Sequence, residues 1–301
     1  MINGILNVRK EPGFTSHDVV AKLRGILHQK KIGHTGTLDP DAEGVLPVCL
    51  GKATKLCDLL TDETKTYEAV LRLGISTDTQ DISGRILKEA PVCLSEQEVK
   101  DCILSFRGEQ LQIPPMYSAL KVNGKKLYEL AREGIEVERK ARKVCFHEIR
   151  ILKCELPLVH LEVTCSKGTY IRTLCNDIGE KLGCYGCMEH LVRTRVGRFA
   201  LADSYTLDQI GEIAQEEQLD KILVPADGMF EDLDKVTVGK ELERMAINGN
   251  AFLPSDLSGR SEMEDQERFR LYLQSGAFVG IYKYDKNRNL CVPVKMFLER
   301  T

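Results

Sequence analysis

A chain of 301 residues, 43% hydrophobic and 29% charged, has the make-up of a folded globular protein and excludes a disordered or fibrous one. Its length accommodates one large domain and a smaller one, and no apolar run approaches the span of a bilayer. The net charge of −3 hides an asymmetry: residues 201–301 hold 12 Lys and Arg against 19 Asp and Glu, residues 1–200 hold 30 against 26, so a polyanion would meet a local patch in the first two thirds.

In chain order, Gly4-Ile5-Leu6-Asn7-Val8 reads as a short strand, with no cleavable signal before it, which points to the cytosol. Thr15 or Ser16 caps a helix with Val19, Val20, Leu23, Ile26 and Leu27 at helical spacing. After a loop rich in glycine come a buried strand over Gly44 to Leu50, a short helix over Lys52 to Leu60 and an alternating strand over Thr66 to Leu73. Ser95-Glu96-Gln97-Glu98 is a capping box opening a helix to about Phe106. Prolines extend Ile113 to Lys121, and Gly124 to Tyr128 leads a basic helix through Arg132. Two alternating strands, Val144 to Cys154 and Leu158 to Cys165, precede a strand-to-helix junction at Ser166 to Leu174. In the helix beyond it, Ile171, Leu174, Cys175, Ile178 and Leu182 form the core stripe and Arg172 stands beside it. An arginine-rich strand over Leu191 to Phe199 and a helix over Thr206 to Gln215 follow.

Acidic Glu231-Asp232-Leu233-Asp234 marks a boundary between residues 1–230 and 235–301. Past it, segments at Phe269 to Leu273, Phe278 to Tyr284 and Leu290 to Phe297 read as a small all-β module. Without a regular βαβ rhythm, the class is α+β with a mixed, mainly antiparallel sheet. The eleven cysteines lie mostly in apolar patterns, as at Cys49, Cys102, Cys145 and Cys165, and suit reduced thiols. Only Cys184-Tyr185-Gly186-Cys187 has metal-ligand spacing; lacking a second pair, it reads as a tight turn, and no metal is expected.

The chemistry concentrates in Gly33-His34-Thr35-Gly36-Thr37-Leu38-Asp39-Pro40. Glycines permit backbone angles that side chains forbid, and Pro40 fixes its own φ and pushes Asp39 toward extended backbone, so one carboxylate is held on a stiff loop. Taken alone, such a segment is a turn initiator. Together with Arg172 it suggests an aspartate kept ionised, since a nearby guanidinium lowers a carboxylate pKa by roughly one to three units. Tyr67 offers a stacking face for a planar substrate, and His34 could fill the hole left by a base drawn from its stack, which points to a nucleobase in RNA. The plainer readings are a loop brace for His34, strand core for Tyr67 and a surface cation for Arg172.

The sequence closely resembles the TruB family of tRNA pseudouridine synthases over about residues 4 to 200. Five ordered motifs carry the likeness: Gly33 to Pro40, Lys65-Thr66-Tyr67, Tyr117-Ser118-Ala119-Leu120-Lys121, Gly124-Lys125-Lys126-Leu127-Tyr128, and Cys165 to Arg172. The resemblance implies isomerisation of uridine 55 in the TΨC arm of tRNA by a monomer, with neither metal nor organic cofactor. It makes Asp39 the catalytic aspartate, Tyr67 the active-site tyrosine, Arg172 the ion-pair partner of Asp39, and His34 the residue inserted in place of the flipped nucleotide. Lys10, Lys121, Lys125, Lys167 and Tyr170 are candidates for RNA contact. It also implies that the C-terminal extension is PUA-like, although residues 235 to 301 lack an obvious basic stripe. One departure is Lys10-Glu11-Pro12-Gly13, where the family's proline directly follows the lysine. Asp39 as nucleophile at C1′ and Asp39 as base at C2′ both remain open. Competing readings are a tRNA-binding or tRNA-folding protein on the same scaffold, and a glycoside hydrolase pairing Asp39 with Asp41 or Glu43.

Overall fold

The computed structural model describes residues 1–258 and 263–298. A ten-stranded sheet runs, along its main path, Leu223–Val224, Gly4–Lys10, Glu43–Leu50, Gly186–Val196, Lys65–Leu73, Leu158–Cys165, Arg142–Glu155 and Gly108–Gln112. Its ladders are antiparallel except where Glu43–Leu50 meets Gly186–Val196, so the α+β, mainly antiparallel expectation holds. Ile32–His34 attaches to Glu43–Leu50, and Phe199–Ala200 to Gly186–Val196.

Alternation decides which face each strand buries. In Lys65–Leu73 the residues Lys65, Tyr67, Ala69, Leu71 and Leu73 are buried while those between are more exposed. Helices Glu96–Leu104 and Ile171–Leu182 cover this side, joining Val99, Ile178 and Leu174 to Leu71, Val163 and Phe146 in one core. Helices Ser16–Ile26 and Leu207–Gln215 cover the other half, over Leu6, Val8, Leu46 and Val48. The expected capping box of Ser95 with Glu98 forms, and Thr15, one of the two expected caps of the first helix, forms a capping box with Asp18. Among the described residues no helix is long and apolar enough to cross a membrane.

Several elements differ from expectation. The helix expected over Lys52 to Leu60 is a 3-10 turn, Gly51–Leu56, followed by one α turn, Cys57–Thr61. The basic helix begins only at Leu127, because Asn123 and Gly124, both at positive φ, turn a small hairpin of Lys121–Val122 and Lys125–Lys126. The arginine-rich strand starts at Gly186, so Cys187 is already strand and the turn expected over Cys184–Cys187 is confined to its first half, with Tyr185 at φ 63°.

The second sheet runs Leu257–Ser258, Asp234–Val238, Arg268–Tyr272, Phe278–Asp285 and Leu290–Met296. The acidic boundary leads straight into its strand Asp234–Val238, and the module is not purely β, since it includes the helix Glu243–Ile247. It has a core of its own around Val236, Phe252, Phe269 and Tyr282. Phe278, Ile281 and Phe297 instead pack with Ile5, Leu56 and Phe230, so the two sheets share an apolar layer.

Candidate active site

The loop from Gly36 to Ala42 is held from behind. Lys10 is fully buried, and its ammonium donates to the carbonyls of Pro40 (2.9 Å), Ala42 and Glu11 (3.2 Å). Gly13 N–H donates to Pro40 O at 2.9 Å, and Leu38 N–H donates to Ser16 Oγ at 2.9 Å. Arg193, 2% exposed, donates from Nε to Val45 O at 2.7 Å and from Nη2 to Gly36 O at 3.4 Å. Lys10, expected on the RNA, is therefore inside the protein, and the displaced proline leaves its anchoring role intact. Burial pushes its pKa down to about 8 against the pull of Asp39 and Asp41.

Asp39 is partly exposed at the tip of this clamp and faces Arg172 in a two-pronged pair. Arg172 Nε lies 3.0 Å from Oδ2, and Nη2 donates to Oδ1 at 3.2 Å. Arg172 is 5% exposed in the first turn of Ile171–Leu182; it also donates to Thr79 O (3.0 Å) and Tyr117 O (2.7 Å) and pairs with Asp81 at 3.4 Å. The carboxylate is not depressed as the sequence suggested. Burial raises the Asp39 pKa, Arg172 opposes it, and Asp81 pushes it further up. The guanidinium is shared between two carboxylates, so its effect on either one is diluted.

Asp39, Arg172 and Tyr67 line one cavity of about 390 Å³, within the range of small-molecule sites. Tyr67 enters from the central strand, directly across the ladder from Arg193. Burial raises the Tyr67 pKa, with the nearby Arg193 charge opposing it, which keeps the phenol protonated, leaves little phenolate to act as a base and makes the ring face its main asset. Lys65 also lines the cavity, donating to the carbonyls of Thr61 and Glu63 at 2.6 Å each; burial lowers its pKa to about 8. Tyr170 lies on the wall, locked by reciprocal backbone bonds with the Gln112 side chain at 2.8 and 3.0 Å, and burial raises its pKa. A second cavity of about 700 Å³ is also lined by Asp39 and Arg172, with His17, Lys126, Tyr128, Arg132 and His190 on its walls.

The remaining candidates stand apart. His34 is half-buried, its Nδ1 accepts from Gly36 N–H at 3.3 Å, and its ring meets His17 edge-on at 5.2 Å, while burial lowers its pKa. Its Nδ1 thus braces its own loop. Lys167 is 58% exposed and 2.8 Å from Asp62, Lys125 lies 3.5 Å from Glu133, and Lys121 is exposed in the small hairpin. Sequence reasoning missed Asp81, Lys65 and Arg193. Lys65 stood in the Lys65-Thr66-Tyr67 motif and Arg193 among several arginines in its strand, but nothing there gave either a role. Asp81 sits in a polar turn with Thr79 and Ser83 whose link to Arg172 exists only in three dimensions. Among the described residues no group of three or more His, Cys, Asp or Glu side chains could hold a metal ion.

Residues 24–171 match the family model described as TruB family pseudouridylate synthase (N terminal domain), and residues 172–231 match the tRNA pseudouridylate synthase B C-terminal domain. The chain is 52% identical over 307 residues to the tRNA pseudouridine synthase B of Lachnoclostridium phytofermentans, covering 99% of this chain and 100% of that one. It is 47% identical over 280 residues to that of Clostridium kluyveri, covering 93% and 95%. Among solved structures, a Cbf5-Nop10-Gar1 complex superposes with a TM-score of 0.72 at 27% identity, covering 99% of this chain and 85% of that one. An H/ACA RNP bound to a substrate RNA containing 2′-deoxyuridine gives 0.71 at 25%, covering 99% and 86%. None of these findings favours the binding-only or glycoside-hydrolase readings. Related along nearly its whole length to pseudouridine synthases and folded like their structural relatives, the chain belongs to the TruB family.

Proposed function

We propose that the protein isomerises uridine 55 in the TΨC loop of tRNA to pseudouridine. The observation that carries this reading is the Asp39–Arg172 pair at the mouth of a cavity walled by Tyr67. The reaction breaks C1′–N1, turns the uracil and joins C5 to C1′; no atom is gained or lost and no electron leaves the substrate. What it requires is an oriented carboxylate at the sugar and a closed space that keeps the detached base. Asp39 supplies the first, acting either as nucleophile at C1′ or as base at C2′. Tyr67, under the uracil, supplies a face of the second, and Arg172 aims Asp39.

Extrusion of the uridine costs a few kcal/mol, which contacts to the rest of the T arm must offset. The larger cavity, with Lys126, Tyr128 and Arg132, provides cations and an aromatic face on the approach to Asp39. His34 fills the gap left in the T-loop, and Lys121, Lys125 and Lys167 meet phosphates. On this reading residues 1–230 are the catalytic domain, residues 235–301 a PUA-like module that assists tRNA binding, and the protein acts as a cytosolic monomer.

The test is tritium release from tRNA labelled at uridine C5. Asp39→Asn keeps the shape and removes the charge, so it should slow release by roughly 10³-fold or more while tRNA binding is largely kept. An active Asp39→Asn protein would sink the mechanism. Release from a transcript lacking uridine 55 would overturn the assigned position.

A further inference from the structure

Cys49 and Cys57 meet in a place the reaction does not use. Gly33 lies directly opposite Cys49 in the antiparallel ladder, so the side-chain positions of the two residues share one face of the sheet, about 5 Å apart. A Cβ at Gly33 would stand 3.1 Å from Cys57 Sγ: the Cys57 thiol fills the space the glycine leaves, beside Cys49. Cys49 is fully buried, Cys57 is half-buried, and both are free thiols. Beside each other the two thiols shift in opposite directions, the Cys57 pKa down and the Cys49 pKa up, as one thiol favours the other's thiolate. Cys57 is thus the more nucleophilic and the more accessible of the two.

We propose that Cys49 and Cys57 form a reversible disulfide, driven by a low-molecular-weight disulfide, that slows turnover. The Cys57 thiolate attacks one sulfur of the oxidant, releasing one small thiolate and leaving a mixed disulfide. Cys49 then gives up its proton and attacks Cys57 Sγ, displacing the second small thiolate. The pair loses two electrons and two protons, and the oxidant leaves as two thiols.

Closure acts on the site through one hydrogen bond. Cys57 begins the turn Cys57–Thr61, whose Thr61 Oγ1 donates to Thr35 O at 3.0 Å, and Thr35 and Thr61 both line the smaller cavity. Drawing Cys57 toward Cys49 presses on Gly33 and shifts this wall. The effect on turnover rests on the pseudouridine synthase reading, whereas the disulfide does not.

Lys52 and Lys55 separate the two cysteines, so trypsin places them on different peptides, 32–52 and 56–65. The full chain is equilibrated in graded glutathione redox buffers, digested after alkylation and mapped by mass, with tritium release measured in parallel. The expected result is a 32–52/56–65 linked pair two hydrogens lighter than the separate peptides, a several-fold loss of turnover, and recovery of both on adding dithiothreitol. Cys57→Ser and Cys49→Ala should each abolish the link and keep turnover under oxidation; Cys93→Ser, which removes an exposed thiol, should behave as wild type. Absence of the linked pair, glutathione adducts alone, or unchanged turnover in linked protein would overturn the proposal. A fully reduced protein with no tritium release would instead count against the functional reading, and the peptide map would still decide the disulfide.

Discussion

Arg172 commits its guanidinium on every side: Nε and Nη2 to Asp39, Nη1 to Thr79 O and Asp81, and Nη2 again to Tyr117 O. A lysine has three donors and no planar fork, so it cannot reproduce this set. Burial nevertheless holds the Asp39 pKa above the ordinary carboxylate value, against the opposing pull of Arg172. On the proposed reading Asp39 works ionised, so turnover should be lost as pH falls through that raised value, and the acid limb of kcat/KM should lie higher than for an ordinary aspartate. Asp81 is one cause of the rise. Replacing Asp81 with Asn should therefore move the acid limb to lower pH, and should also lower the plateau rate because Arg172 loses one partner. A pH–rate profile with an unmoved limb would show that the Asp81 charge does not reach Asp39.

The elements around Asp39 matter because they place Arg193 and the loop together. Gly44, at φ 109°, lies where Glu43–Leu50 runs parallel to Gly186–Val196, and a Cβ there would stand 2.2 Å from Arg193 O. Backbone strain and overpacking each cost roughly 1–3 kcal/mol, so Gly44→Ala should destabilise the fold by on the order of 3 kcal/mol. A stability loss in urea unfolding of less than a third of that would mean the ladder can part there without harm. The glycines and proline announced a constrained loop, and alternation placed Tyr67 on a buried face. What holds the loop was not legible. Lys10 read as a cation for RNA because sequence carries no burial, and Arg193 is distinguished from its neighbours Arg195 and Arg198 only by where the strand passes. The turn at Asn123-Gly124 was hidden for a similar reason: residues on both sides are basic and suit a helix equally well.

Across the whole molecule, the Phe297 and Phe278 rings stack at 5.1 Å within the layer shared by both sheets. Phe297→Ala should cost about 3–5 kcal/mol and lower a single unfolding transition, seen together by far-UV dichroism and tyrosine fluorescence. Two separated transitions would show that the sheets unfold independently. The acidic stretch suggested a boundary, yet its apolar neighbours Phe230 and Leu233 are packed into that same layer, a contact that charge patterning does not reveal. The clamp made by Lys10, Gly13, Ser16 and Arg193 has a further consequence for selectivity. A carboxylate already fixed in place has no disordered state from which a cognate RNA could recruit it, so closing the Gly36–Ala42 loop offers no means of rejecting other RNAs. On the proposed reading, discrimination then falls to the substrate: the RNAs that react should be those whose own loop yields a uridine at the geometry the protein presents.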